Sequence, residues 1–116
     1  MTLKIEGQVR GGKNNMGITR SGIHYPYPKW AAWRDGVVAS LLAQRRELLG
    51  RPCRIKVFYT PGDKRRRDVP GLADAICHCL ERAKIVLDDS LFVDWEWTTF
   101  MPDKLKAGAT IVIEPR

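Results

Sequence analysis

The chain has little cysteine: three thiols in 116 residues, Cys53, Cys77 and Cys79. An odd, sparse count gives no disulfide framework, so reduced thiols in a cytosolic protein are expected. Nowhere does an apolar run approach the roughly 18–20 residues of a membrane-spanning helix. The opening residues, MTLKIEGQVR, lack the apolar stretch of a secretory signal, and a cytoplasmic protein without a membrane partner is expected. No G-x-x-x-x-G-K-[ST], G-x-S-x-G or G-x-G-x-x-G string occurs, which leaves nucleotide hydrolysis, serine-esterase chemistry and a nucleotide cofactor without support. There is no C-x-x-C, no internal repeat and no low-complexity stretch.

What is present is charge of one sign. Lys and Arg number 20 against 13 Asp and Glu, a formal net charge of +7, and 44% of the residues are hydrophobic. That composition belongs to a globular chain, and the length suits one domain over residues 1–116. A basic surface points to a polyanionic partner.

Leu3 and Ile5 alternate with polar neighbours as a strand over residues 2–8 would. Residues 10–27 carry glycines, a proline, two asparagines and the cations Arg10, Lys13 and Arg20 without a sustained period, which predicts a long basic loop or arm. Pro28 suits the first position of a helix. Trp30, Trp33, Val37, Leu41 and Leu48 then form a stripe over residues 29–49, with Gly50 and Pro52 as the stop. Cys53, Ile55, Val57 and Tyr59 predict a strand over 53–59 whose other face carries Arg54 and Lys56. Leu72, Ile76, Cys79, Leu80 and Ala83 mark a second helix from about residue 69 to 83, with Asp68 as its candidate N-cap. Strands are expected over 92–100 and 110–114, so the order is β-α-β-α-β-β: an α+β fold with one mixed sheet and two helices.

The chemistry concentrates in residues 63–95, DKRRRDVPGLADAICHCLERAKIVLDDSLFVDW. Lys64, Arg65, Arg66 and Arg67 run straight into Asp68 at a helix start. Asp74 follows on that helix, and Asp88 and Asp89 in the turn after it. Carboxylates beside cations suit a phosphodiester bound through Mg²⁺, because a hard cation bridges carboxylate and phosphate oxygens while arginines hold the neighbouring phosphates. The plain alternative is a solvated charge run, a helix cap and an ordinary loop pair.

The string RRRD, an amphipathic helix of about 14 residues and then IVLDDSLFVDW closely resemble the RusA-like Holliday-junction resolvases. The likeness is dense over residues 64–95. It reaches more loosely to the first strand, the Asn14 and Asn15 pair, the long helix and the closing strands. It implies a homodimeric, Mg²⁺-dependent crossover junction endodeoxyribonuclease of bacterial or phage origin, with Mn²⁺ as a substitute. Such an enzyme acts in DNA recombination and repair by making paired nicks in branched, four-way DNA. By resemblance Asp68 takes the place of the first metal-binding aspartate, and Asp89, with Asp88 beside it, that of the essential aspartate. Arg67 takes the place of a basic residue for DNA handling or catalysis.

The family's second metal aspartate, two residues after the first, is Pro70 here, and its lysine position is Asp74. Positions 70 and 74 are one turn apart and about 40° apart around a helix, so a carboxylate at 74 can serve from the same side. The expected metal site is therefore Asp68, Asp74, Asp88 and Asp89, with Asp68, Asp74, Asp89 and Arg67 catalytic. Lys64, Arg65, Arg66, Arg67, Arg82, Arg10, Lys13 and Arg20 are expected to bind DNA. A protein that has lost the metal site and only binds nucleic acid is the rival, as is a flap or fork endonuclease of the same fold. Cys77, His78 and Cys79 have the wrong spacing for zinc. Cys79 is expected in the core, and His78 near the Asp74 side or plainly exposed. Trp95 and Trp97 share a strand face with Val93, for packing or a dimer interface.

Overall fold

A computed structural model of the chain describes residues 1–11, 16–45 and 47–116. Lys13, Asn14 and Asn15 lie outside the described residues. Strand β1 (Thr2–Glu6) is followed by the short strands β2 (Met16–Ile18) and β3 (His24–Pro26), helix α1 (Pro28–Gln44) and strand β4 (Cys53–Thr60). Helix α2 (Val69–Arg82), a 3-10 turn (Asp89–Leu91), and strands β5 (Phe92–Thr99) and β6 (Gly108–Pro115) complete the order. The fold is α+β, with two helices and a mixed four-stranded sheet in the order β1-β6-β4-β5. β6 runs antiparallel to β1 and to β4, while β4 and β5 are parallel. A parallel pair needs a long crossover, and α2 supplies it. None of the described helices is long and apolar enough to cross a membrane.

Period-two patterning decides which sheet face is covered. Leu3, Ile5, Cys53, Ile55, Val57, Tyr59, Ile111 and Ile113 point to one face and are buried. Val37 and Leu41 of α1 join them in one cluster with Leu72, Ile76, Cys79 and Leu80 of α2. Both helices therefore lie on that face. The opposite face is open and carries cross-strand ion pairs, Arg54–Asp94 at 3.4 Å and Lys56–Glu96 at 3.9 Å.

Three local features differ from the sequence expectation. Residues 10–27 hold a hairpin, in which Gly17 pairs with Tyr25 and Ile18 with His24. Its turn is closed by the Thr19 hydroxyl, which accepts the Ile23 N–H at 3.0 Å. Strands of three residues are too short for alternation to show. Helix α1 stops at Gln44, five residues before the predicted end. The Gln44 amide is taken by β1, accepting the Lys4 N–H at 2.7 Å and donating to the Lys4 carbonyl at 2.9 Å. Beyond it Leu49 pairs with Val86 and is buried, whereas Leu48, assigned to the helix stripe, is exposed. On β5 the register shifts by one residue, so that Cys53 faces Phe92 and Arg54 faces Asp94. Val93 is the extra residue, and Trp95 and Trp97 fall opposite Ile55 and Val57. Trp97 packs on Tyr59, its ring centre 5.6 Å away. Trp95, at the free edge of the sheet, stays 43% exposed.

Candidate functional site

The basic residues meet where β1 and β4 leave the sheet. After the Pro61–Gly62 turn, the Gly62 N–H donates to Gln8 Oε1 at 2.7 Å, and Gln8 Nε2 donates to the Tyr59 hydroxyl at 2.6 Å. Gln8 thus clamps the exit of β1 to the end of β4. Trp30 Nε1 on α1 donates to the Arg10 carbonyl at 3.1 Å. Gly11 sits close over Gly71, since a Cβ on Gly11 would lie 3.7 Å from the Gly71 carbonyl. These ties press residues 8–11 against the first turn of α2 and open a cleft of about 690 Å³. Four arginines line it, Arg10, Arg65, Arg66 and Arg67, together with Asp63 and Asp68.

The arginines differ in role. Arg67, the least exposed, reaches Asp63 Oδ1 at 2.8 Å and donates to the Arg65 carbonyl at 3.1 Å. It braces the turn and leaves little of its guanidinium for a ligand. The brace holds the Asp63 carboxyl below its usual range, through the Arg67 hydrogen bond first and the Arg65 N–H second. The Arg65 guanidinium is far more exposed and reaches Asp63 only at 3.9 Å. Arg10 and Arg66 make no ion pair among the described residues. Lys64 is exposed in the same turn but does not line the cleft.

Asp68 occupies the N-cap position of α2, but its side chain makes no capping bond. The expected cap role is therefore absent. Its carboxylate lies over Gly71 instead, where a Cβ would meet Oδ2 at 2.9 Å.

At the far end of α2 stands an acidic group. Glu81, Asp88 and Asp89 each bring a carboxylate oxygen within 4.8 Å of the others, a set that could hold a metal ion. Glu81 Oε1 accepts the Asp89 N–H at 2.7 Å, which draws the turn back onto the helix. Asp88 Oδ1 accepts the Ser90 N–H at 2.8 Å, and the Ser90 bonds keep the Asp88 carboxyl below its usual range. Oxygen-only donors of this kind fit a hard divalent cation such as Mg²⁺ or Mn²⁺. Beneath them the buried Cys77 thiol is pushed up to about 12, by burial first and then by Asp89, Asp74 and Glu81. No sequence motif singled out Glu81. The available signal was its spacing of seven from Asp74, two turns along one face.

The structure does not gather all four expected metal aspartates. Asp88 and Asp89 are together, whereas Asp74 is exposed on α2 outside their group. Thirteen residues of helix, about 20 Å at 1.5 Å per residue, separate Asp68 from Glu81. A Mg²⁺ or Ca²⁺ ion holds oxygens at about 2.0–2.6 Å, so within one chain no single ion reaches both ends. His78 turns away from the carboxylates. Its ring lies 5.8 Å from Trp30, and its Nε2 is buried without a partner. Burial, then Arg82 and Arg34, lowers its pKa. Arg82 is in the last turn of α2, and Arg20 is exposed in the β2–β3 turn. Cys79 is in the core as expected, its thiol raised by burial to about 11.

No model of a known protein family matches the chain, and no curated protein matches it either.

Electrostatics give α2 its character. A helix carries partial positive charge at its N-terminus and negative charge at its C-terminus, so stability favours acids first and bases last. Here arginines crowd the N-terminal end, with no acid in the first turn. Three carboxylates gather at the C-terminal end, offset in the last turn only by Arg82. Asp68 at the N-cap and Asp63 beside Arg67 offset part of the positive charge at the first end, so each end keeps only a net charge of the dipole's own sign. Such an arrangement costs stability in the free chain and is relieved by an anion at one end and a cation at the other.

Proposed function

We propose that this chain is a Mg²⁺-dependent, structure-selective DNA endonuclease of the RusA-like kind. It acts as a homodimer that resolves four-way junctions by paired nicks. The observation that carries this reading is the pair of oppositely charged ends on α2, an arginine-lined cleft at one and a carboxylate trio at the other. A phosphodiester and a divalent cation are the two ligands that relieve them. Arg10, Arg65 and Arg66 bind the strand as phosphate partners, and Arg67 keeps their turn in shape through Asp63. Glu81, Asp88 and Asp89 would hold the cation, and Asp68 would face the strand from the helix start. The bound cation would supply charge neutralisation at the phosphate under attack.

A second reading rests on the same helix. The separation of about 20 Å between Asp68 and the trio also suits a protein that binds branched DNA without cutting it. Cleavage of a synthetic four-way junction, a flap and a blunt duplex, each with Mg²⁺ and with EDTA, separates the two. Symmetric nicks in the junction that need Mg²⁺ are expected. Junction binding with a steep salt dependence and no nicks at any Mg²⁺ concentration refutes the endonuclease and favours the binder. Preferred cutting of the flap moves the substrate, not the chemistry.

A further inference from the structure

The open face of the sheet carries a second basic depression, which the arginine cleft does not explain. It measures about 560 Å³ and is lined by Lys4, Lys104 and Lys106, with Glu6 as its one carboxylate, around Phe58 and Thr60. These lysines make no ion pair among the described residues, in contrast to Lys56 and Arg54 farther along the same face. Phe58 stacks on Phe100, with ring centres 6.3 Å apart and planes inclined by 17°. Phe100 remains half exposed, and Leu105, between the two lysines, is 96% exposed.

The turn bearing these residues is firmly tied. The Phe100 N–H donates to the Tyr59 carbonyl at 2.8 Å, and the Asp103 N–H to the Pro61 carbonyl at 2.9 Å. The Gly7 N–H donates to the Ala107 carbonyl at 2.9 Å. The two depressions also share a wall. Gly7 lines one and Gln8 the other, and a Cβ on Gly62 would lie 3.3 Å from Ala107 and 3.4 Å from Gln8. Only the ridge of residues 7–8 and 61–62 separates the arginines from the lysines.

We infer that a single nucleic-acid strand held in the arginine cleft continues over this ridge and onto the open face. There Lys4, Lys104 and Lys106 take its phosphates, and the Phe58–Phe100 pair offers a base a stacking surface. Unpaired cations beside an aromatic pair of which Phe100 is half exposed and Phe58 partly buried are the combination that single strands need: a basic track for the backbone and a flat apolar surface for a base. A flexible single strand follows a turn between two depressions more readily than a stiff duplex, so the surface is assigned to a strand that has left its partner, as at a branch point. This inference rests on the reading that the arginine cleft holds a phosphodiester strand.

The test is fluorescence anisotropy of the full chain with labelled oligothymidylate and with blunt duplex, over a series of salt concentrations. K104E/K106E alters an exposed turn and is expected to weaken oligothymidylate binding by about tenfold. It should reduce the salt slope by about 1.4, the loss of two single-strand phosphate contacts, and leave duplex binding unchanged. F100A should weaken the same complex with the salt slope intact. Unchanged oligothymidylate binding by K104E/K106E, while R65A/R66A abolishes it, overturns this inference and spares the cleft. A wild-type chain that binds neither probe overturns both. Lysine-dependent binding to phosphatidylserine vesicles in place of oligothymidylate also overturns it, and assigns the surface to a membrane.

Discussion

Gly71→Ala should make the protein more stable and less functional at once. Gly71 is the third residue of α2. The nearest neighbours of a Cβ placed there all belong to Asp68, with Oδ2 at 2.9 Å, Cγ at 3.5 Å and Cβ at 3.8 Å. No backbone atom stands in the way, so the alanine fits once the carboxylate moves by a few tenths of an ångström. Replacing glycine by alanine in a helix stabilises by about 0.5–1 kcal/mol. For a chain of this size that raises Tm by roughly 2–4 °C. The displaced carboxylate, however, belongs to the acid that faces the bound strand in the proposed function. Misplacement of a reacting group by about 1 Å can cost on the order of 100-fold in rate, so about a tenfold loss of Mg²⁺-dependent nicking is expected. Thermal unfolding by circular dichroism and a junction-cleavage time course read the two effects separately. On an Asp68→Ala background the same substitution should keep its stability gain and have no further effect on cleavage. A lower Tm refutes the steric reasoning. Unaltered cleavage in a protein that D68A inactivates refutes the role given to the position of Asp68.

Trp30→Phe keeps the ring but removes the donor to the Arg10 carbonyl. It should cost about 1 kcal/mol in urea unfolding and, by freeing residues 8–11, lower the salt slope of DNA binding by about one. An unchanged slope would mean that Arg10 does not contact the strand. Glu81→Gln should weaken Mn²⁺ binding at least tenfold by titration calorimetry, yet leave the EDTA-treated protein no less stable, because one of three crowded charges is gone. Equal Mn²⁺ affinity in the variant rules out the trio as the cation site. His78 has a folded pKa below 6.5, so between that value and 6.5 the unfolded chain binds the extra proton. Its contribution to stability is complete above pH 6.5 and is lost as the pH falls through that window. His78→Gln should flatten the urea-measured stability profile there, and an unaltered slope would assign the pH dependence to other groups.

Burial patterns were legible where one side-chain period ran long enough to register. The eight residues of β4 alternate without a break, and the α2 stripe marks the helix to within a residue. The hairpin of residues 16–26 escaped because its strands are too short to carry a period. The end of α1 escaped because the chain turns extended at Arg45 and runs on to pair Leu49 with Val86, a partner far away in sequence. The basic half of the site was legible for a local reason, since Arg65, Arg66 and Arg67 are consecutive and must share a turn. Arg10 joins them through tertiary ties made by Trp30, Gln8 and the Gly11–Gly71 approach. The acidic half was partly legible: Asp88 and Asp89 stood out as a pair, but Glu81 becomes their neighbour only when the chain folds back after α2. Spacing along a helix put positions 70 and 74 on a common face, while the length of that helix sets how far Asp68 stands from the pair beyond its other end.

That length constrains the proposed enzyme. If Asp68 and Asp89 act on the same phosphate, the separation of about 20 Å along α2 requires that they come from different chains. A two-fold dimer repeats every contact, so one such shared site implies a second. Mixing two inactive variants then gives a distinctive outcome. In a heterodimer of Asp68→Asn and Asp89→Asn chains, one shared site carries both substitutions and the other carries neither. One competent site nicks a junction but cannot make the paired cut that resolves it. Refolding the two variants together should therefore restore nicked junctions without resolved products, while each variant alone gives neither. If the two acids acted within one chain, every site in the mixture would lack one of them, and no nicks would form. A silent mixture, from variants whose parent chain cuts, eliminates the shared site and requires Asp68 and Asp89 to work on different phosphates.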